Sequence, residues 1–439
     1  MKTIAVESLH INAGDDISYD PFKHRDVKKP TSTIGTLLHL IKGSLGTGIL
    51  AMPLAFKNGG LVFGFIGTAL VAVIYAHCIH LLVGTSQKIC RRKRFPSLEY
   101  AQTAEQVFLN GPPRLRRLAP AAKAYIDYMI LLLSFFSVSV YLVFISTNFR
   151  NVLNHETDLD WDIRSYILLT AVVIAVITQI RELKYLVPFS LLANFSILVV
   201  FAICLFYIFK LPLRFEEQRL WPDVTQLPSF FGTVVYALEG MAICLPVENK
   251  MKNPQYFLRR LGVVNGAIFF ITVLYNITGF FGYGVFGADV QGSVTLNLPQ
   301  DDLLAKSTQI LAAGAILLTT GLYYYVPMEI LWRKIGHRIP EKWHNWTQIG
   351  CRFAIVLIMT ILALTVPKLE PFIGFVGSIG SATLGLLNPI LLDTVYRWPN
   401  HFGWMNWHLV KNLILGAFAL LILAVGTYFS MLDIIAIYK

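Results

Sequence analysis

Apolar residues in this chain fall into eleven uninterrupted blocks that are separated by short polar segments. A block of about 20 apolar residues is long enough to cross the roughly 30 Å hydrocarbon core of a bilayer as a helix. The pattern therefore predicts an all-α polytopic membrane protein with eleven transmembrane helices. The predicted spans are 34–57, 60–86, 122–147, 164–180, 185–209, 229–247, 261–287, 303–330, 351–367, 370–393 and 408–430.

The basic residues orient these spans. Roughly three times as many Lys and Arg residues lie in the segments on one side of the predicted membrane as on the other, and such an excess is typical of the cytoplasmic side. We therefore expect residues 1–33 to form a cytoplasmic tail and the C-terminus to be extracellular or luminal. The first apolar block begins only at Ile34, too late for a signal peptide.

Span 1 contains an unusual cluster of small residues at the expected depth of the bilayer centre. The cluster consists of Gly43, Ser44, Leu45, Gly46, Thr47 and Gly48. Each glycine costs about 1 kcal/mol relative to alanine in a helix. Broken backbone is tolerated at membrane depth only where it is buried in protein or lines a cavity. We therefore predict that the helix of span 1 is interrupted here.

Span 6 has a corresponding weak point, with Glu239 and Gly240 at its centre. An ionisable residue at mid-membrane is expensive and marks a functional site. Interrupted helices at equivalent positions of two five-helix halves are typical of inverted-repeat transporters. The predicted repeats are 34–209 and 229–396, followed by an eleventh helix at 408–430. The alternative is a packing face in which small residues let two helices approach closely.

An interrupted helix offers free backbone groups to a zwitterion. Unpaired N–H groups at the start of a half-helix suit a carboxylate. The carbonyl ends of the other half-helices and Glu239 would face an ammonium group, and Tyr236, one turn away, would cap the pocket. The predicted substrate-binding residues are Gly43, Ser44, Leu45, Gly46, Thr47, Gly48, Tyr236, Glu239 and Gly240.

Four separated runs in the predicted spans have a distinctive sequence: His39-LIKGSLGTGILAMPLAFKNGG, Ala237-LEGMAICLPVENKMK, Tyr324-YVPMEI and Phe375-VGSIGSATLGLLNP. Together they resemble the proton-assisted amino acid transporter family of the amino acid/auxin permease group. The resemblance implies the LeuT-type 5+5 inverted-repeat fold of bacterial leucine transporters. It also implies symport of protons with small neutral amino acids such as glycine, alanine and proline.

Two residues are candidates for carrying the coupled proton. His39 lies one turn before the glycines of span 1, and the resemblance implies a coupling role for a histidine at this position. A histidine with an ordinary pKa of about 6.5 would load a proton from a mildly acidic side and release it in neutral cytosol. Glu239 could do the same at the midplane. The sequence does not choose between them, and the two could act as a coupled pair.

Composition and motifs exclude several other classes. Only 14% of residues are charged and 55% are hydrophobic, unlike a soluble enzyme. The net charge of +11 is better explained by basic loops beside anionic lipids than by nucleic acid. The five cysteines lack metal-ligand spacing, and no hydrolase motif is present, so we expect no enzyme activity, no metal and no cofactor other than protons.

The sequence leaves two alternatives to a proton-coupled symporter open. One is an amino-acid-sensing receptor with little flux, which would need nutrient-signalling partners. The other is a sodium-coupled or facilitative carrier. Tyr19-Asp-Pro-Phe22 fits a short endocytic or lysosomal sorting pattern. We therefore expect the plasma membrane, the endolysosomal membrane, or both.

Overall fold

A computed structural model describes residues 19–157, 160–181, 183–239, 241–399 and 402–439. Every regular element in these ranges is helical. Eight helices in the described ranges are long and apolar enough to cross a membrane, and two shorter apolar helices, Ile163–Ile177 and Leu227–Ala237, lie among them. The chain is therefore an all-helical, multi-pass membrane protein.

The described residues of the first half of the chain form eight α-helices, which we number in chain order. They are α1 (Thr33–Ser44), α2 (Thr47–Leu50), α3 (Met52–Gly59), α4 (Leu61–Lys93), α5 (Tyr100–Leu109), α6 (Ala119–Thr157), α7 (Ile163–Ile177) and α8 (Leu183–Lys210).

In the second half, the residues that the structure describes form nine more. They are α9 (Leu227–Ala237), α10 (Met241–Asn249), α11 (Val263–Phe286), α12 (Leu303–Ile335), α13 (His344–Thr365), α14 (Leu369–Val376), α15 (Asn388–Arg397), α16 (Trp407–Leu421) and α17 (Thr427–Ala436). Two π-helical stretches, Gly377–Ser381 and Thr383–Leu387, join α14 to α15 in one rod, and a third, Ile422–Gly426, joins α16 to α17.

Several helices extend beyond the predicted spans, and one helix lies outside all of them. The third predicted span, 122–147, is part of α6, which continues to Thr157. The last helix continues to Ala436 rather than ending near residue 430. The loop before α6 contains α5, which the apolar pattern did not predict. The side chain of Gln102 stabilises the start of α5 by accepting the backbone N–H of Glu99.

One end of the bundle carries the segment 19–32 and the basic last turn of α4, and we call it the basic face. Thr31 exchanges two backbone hydrogen bonds with the segment after α10, to the carbonyl of Lys250 and from the N–H of Lys252, each 2.8 Å long. The guanidinium of Arg25 donates to both carboxylate oxygens of Glu248 at 3.0 Å. Residues 19–32 therefore pack against the helices.

The opposite end, which we call the distal face, contains the turn between α3 and α4. There the N–H of Leu61 donates to the carbonyl of Arg219 at 2.9 Å. Below it, α9 packs against the α14–α15 rod so closely that a Cβ built at Gly377 would lie 1.9 Å from the carbonyl oxygen of Gly232. This contact sets the position of α9 and of the site residues at its end.

Candidate functional site

The helix of span 1 is interrupted where the sequence predicts. α1 ends at Ser44, Leu45 caps it, and Gly46 adopts a non-helical backbone conformation before α2 begins at Thr47. The N–H of Leu45 donates to the carbonyls of Ile41 and Lys42, which closes the last turn of α1. The predicted break is therefore confirmed, and its centre lies at Leu45 and Gly46.

Span 6 is interrupted as well. α9 ends at Ala237, and α10 begins at Met241. The N–H of Leu238 and of Glu239 donate back into the last turn of α9, to Val234 and Tyr236. Gly240, a predicted binding residue, lies outside the described residues. Two helices therefore lose their regular hydrogen bonding, as the sequence predicts.

The two breaks touch each other. A Cβ built at Gly48 would lie only 2.7 Å from the Cα of Ala237, so the backbones meet without a side chain between them. The hydroxyl groups of Tyr236 and Thr47 are 2.8 Å apart and hydrogen-bonded. Gly48, Thr47 and Tyr236, three of the predicted site residues, are thus brought together in one contact.

A tyrosine on α11 spans both breaks. The hydroxyl of Tyr275 lies 2.7 Å from the carbonyl oxygen of Ser44 and 2.5 Å from that of Ala237. Tyr275 is fully buried. The last carbonyl of α1 and the last carbonyl of α9 therefore face the same phenol group.

Glu239 lies beside these contacts with a hydroxyl as its polar partner. Ser137 on α6 donates to the two carboxylate oxygens at 3.1 and 3.4 Å. Tyr141 and Tyr323, whose rings meet edge to face 5.3 Å apart, lie within electrostatic range of the carboxylate. Among the described residues no Lys, Arg or His lies within ion-pair distance of Glu239.

Open space adjoins the break of span 1. A Cβ at Gly46 would meet no atom within 4 Å, whereas one at Gly43 would meet the end of the Ile243 side chain at 2.6 Å. A small cavity of about 20 Å³ borders Ser44 and Leu238. A larger depression of about 420 Å³ lies on the distal rim beside Lys210 and contains none of the predicted site residues.

His39 is placed apart from this cluster. It lies on an exposed face of α1, where the charges nearest to it are those of Lys42 and Lys250. The structure records no contact between His39 and Glu239. The two predicted proton-coupling residues therefore do not form a hydrogen-bonded pair in this conformation.

Sequence reasoning missed three residues of the site: Ser137, Tyr275 and Tyr323. Each carries a hydroxyl group within an apolar span, which is a weak signal. A serine hydroxyl in a helix commonly bonds to the preceding turn, and tyrosines are common in membrane helices near the interfaces. What distinguishes these three is the position of the break residues opposite them, and the local sequence does not contain that information.

Comparison with known proteins identifies the family. The family model for "transmembrane amino acid transporter protein" matches residues 29–432. The chain belongs to this family. The transmembrane amino acid transporters are the amino acid/auxin permease group, so the resemblance seen in the sequence is confirmed, and the protein is a transporter rather than an enzyme.

Relatives of this family member include proteins from two invertebrates. The chain is 35% identical to "Proton-coupled amino acid transporter-like protein pathetic" of Drosophila melanogaster, over 97% of this chain and 90% of that protein. It is 26% identical to "Probable amino acid transporter skat-1" of Caenorhabditis elegans, over 97% and 94%. The crystal structure of MhsT in complex with L-phenylalanine aligns with a TM-score of 0.49 and 16% identity, covering 94% of this chain and 99% of that one.

Proposed function

We propose that this amino acid transporter is a proton-coupled symporter of small neutral amino acids of the glycine, alanine and proline type. It would work by alternating access in an eleven-span fold, with two inverted five-helix repeats and an additional last helix. The first relative's printed name, a proton-coupled amino acid transporter-like protein, supports the coupling ion.

The observation that carries the proposal is the meeting of two interrupted helices. α1 and α9 both end at the contact made by Gly48, Ala237 and Tyr275. Their carbonyl ends bear partial negative charge, while the N–H groups that follow the break bear partial positive charge. A zwitterion needs both, because its ammonium group donates and its carboxylate accepts hydrogen bonds.

Glu239 is the better placed of the two candidates for the coupled proton. A carboxylate at membrane depth must be protonated, paired or hydrated. In the described part of the chain its polar contact is the Ser137 hydroxyl. Gaining and losing a proton would change the charge beside both breaks. His39, on the exposed face of α1, would act earlier, on the path to the site.

The limited space at the breaks supports small substrates. Tyr236 is buried against Thr47, and the backbones at Gly48 and Ala237 are already in contact. Space remains beside Gly46. A short side chain fits this arrangement, whereas a long one would have to displace a buried tyrosine.

We further propose that the basic face lies in the cytoplasm, as the distribution of Lys and Arg predicts. The sorting pattern at Tyr19 supports delivery to the plasma membrane, the endolysosomal membrane, or both. In this structure its last residue, Phe22, packs against Arg25 and Arg91, with ring-to-guanidinium distances of 5.0 and 5.9 Å.

Uptake by purified protein in liposomes tests the proposed function. We expect radiolabelled glycine, alanine or proline to accumulate when the outer solution is acidic. Uptake after a protonophore has collapsed the proton gradient is the reference. Replacing Na⁺ by choline is expected to leave uptake unchanged. Sodium-dependent uptake indifferent to pH would instead identify a sodium-coupled carrier, and binding without flux would identify a sensor.

The variants Glu239→Gln and His39→Ala test which of these residues carries the coupled proton. We expect both to lose pH-driven accumulation, with substrate exchange preserved in at least one of them. Glu329→Gln, an acid exposed on α12, and His337→Ala, a histidine exposed beyond the end of α12, are the matched controls. Undiminished pH-driven uptake by both site variants would remove these residues from the mechanism.

A further inference from the structure

The Tyr275 hydroxyl faces two acceptors with one proton to donate. Its oxygen lies 2.7 Å from the Ser44 carbonyl and 2.5 Å from the Ala237 carbonyl. A phenol carries a single O–H donor, so at any moment it fully satisfies only one of these oxygens. The other retains a lone pair for a second donor.

Both carbonyls are helix C-termini. In a continuous helix they would accept the N–H groups of residues 48 and 241, four positions on. The breaks remove those donors, and in the low dielectric of a membrane protein a free carbonyl must find another partner. Two such ends beside one another concentrate negative potential at the Tyr275 hydroxyl.

We propose that Tyr275 is a positioning residue for the ammonium group of the substrate. By sharing its proton, the hydroxyl holds the carbonyl ends of α1 and α9 together and leaves one acceptor for a substrate N–H. This inference rests on the proposed function, and it narrows the substrate class to amines that retain at least one N–H donor.

The placement of Tyr275 fits this role better than that of a general packing residue. It lies on α11, which belongs to neither interrupted helix, so it fixes the two ends relative to a third element. Tyr283, two turns further along α11, offers a matched contrast. It is also buried, but its hydroxyl accepts the N–H of Arg219 near the distal face, away from the breaks.

Binding of glycine and of its trimethylated form, betaine, by the purified full-length protein tests the proposal. Glycine has three N–H donors at its ammonium group and betaine has none. For Tyr275→Phe we expect the Kd of glycine to rise about tenfold, while weak betaine binding stays unchanged. The matched variant Tyr283→Phe is expected to leave both values unchanged.

A merely structural role would give a different result. If Tyr275→Phe weakened glycine and betaine equally, or neither, the positioning role would be overturned. Should Tyr275→Phe not fold, 4-aminophenylalanine at position 275 supplies two donors. It is expected to keep the melting temperature at or above that of the wild type while weakening glycine binding, whereas unchanged binding would contradict the proposal.

These measurements separate the inference from the proposed function. They need neither flux nor a proton gradient. Wild-type protein that bound none of glycine, alanine or proline would contradict the proposed function itself. Wild-type binding that was insensitive to the hydroxyl at position 275 would overturn the role of Tyr275 alone.

Discussion

Phe56 and Phe230, on the distal side of the two breaks, are fully buried, whereas Ser44 and Glu239 at the breaks keep part of their surface accessible. The distal half is closed by direct apolar packing, in which Gly279 lies against the ring of Phe56. At the basic face, by contrast, the closure at the rim is made of hydrogen bonds and an ion pair.

The two kinds of closure respond differently to opening. Separating packed apolar surfaces exposes them to water, which costs a free energy of roughly 25 cal/mol for each Å². Separating hydrogen-bonded or ion-paired groups exchanges their contacts for hydrogen bonds to water, so the cost depends on whether a charge stays buried without a partner. Under the proposed alternating access, the basic face is therefore the side whose opening depends on a few identifiable side chains.

Breaking the ion pair between Arg25 and Glu248, the polar tie of the basic face, is expected to have the largest effect on stability. Arg25 and Glu248 are 5% and 1% exposed at their side chains, and Gln87 also donates to the carboxylate, at 2.8 Å. The change Arg25→Gln leaves that carboxylate buried without its cation, which typically costs about 3–5 kcal/mol. We expect a lower melting temperature and faster hydrogen exchange in residues 19–32.

An exposed arginine provides the control for this prediction. Arg114→Gln, in the loop before α6, is expected to change the melting temperature little. Adding Glu248→Gln to Arg25→Gln should recover part of the loss, because no charge is then left buried. If Arg25→Gln melted like Arg114→Gln, the tie would contribute nothing to closure.

A single methyl group should disturb the apolar closure with a smaller effect. A Cβ at Gly377 would lie 1.9 Å from the backbone oxygen of Gly232, so Gly377→Ala must push α9 away from the α14–α15 rod. Overpacking of this kind costs about 1–3 kcal/mol. Because α9 carries Tyr236, uptake should fall together with the melting temperature.

The matched control is Gly350→Ala on α13, where a Cβ would meet no atom within 4 Å. There alanine is expected to stabilise the helix by up to about 1 kcal/mol. Equal melting temperatures for the two alanine variants would show that the contact between α9 and the rod tolerates separation.

The sequence could predict the breaks because their cause is local. Glycines and a lone Glu239 within apolar runs are visible without any structure. The partners across the breaks are not local. Tyr275 meets Ser44 across 231 positions, and Arg25 meets Glu248 across 223. Such contacts depend on how each helix is rotated, and an apolar block does not fix that rotation.

The same limit explains the separation of His39 from Glu239. Their positions in two interrupted spans favour a shared site, but the exposed side of α1 carries His39 toward Lys42 and Lys250. A residue's depth in the membrane can be predicted from its place in a span. The side of the helix on which its side chain lies depends on how the helix packs against its neighbours, and the local sequence does not give that packing.

The smallest expected effect concerns a polar contact on the distal rim. Asp302 is the N-cap of α12, and its carboxylate accepts hydrogen bonds from the N–H of Leu304 at 3.0 Å and from the hydroxyl of Tyr207 at 2.5 Å. The Tyr207 hydrogen bond, followed by that of the Leu304 N–H, holds the pKa of Asp302 below its usual value. The lowered pKa means that the ionised form stabilises the fold above the usual Asp pKa of about 3.9.

That stabilisation is lost only as the pH falls through the lowered pKa, so acidification from pH 7 to about pH 5 should leave it intact. Asp302→Asn is expected to lower the melting temperature by a few degrees at most, and equally at both pH values. Asp160→Asn, an exposed acid elsewhere on the chain, is the control. A difference between Asp302→Asn and wild type that vanished at pH 5 would show that this rim contact, unlike the buried tie at the basic face, titrates in the acidic range in which the proposed symport would operate.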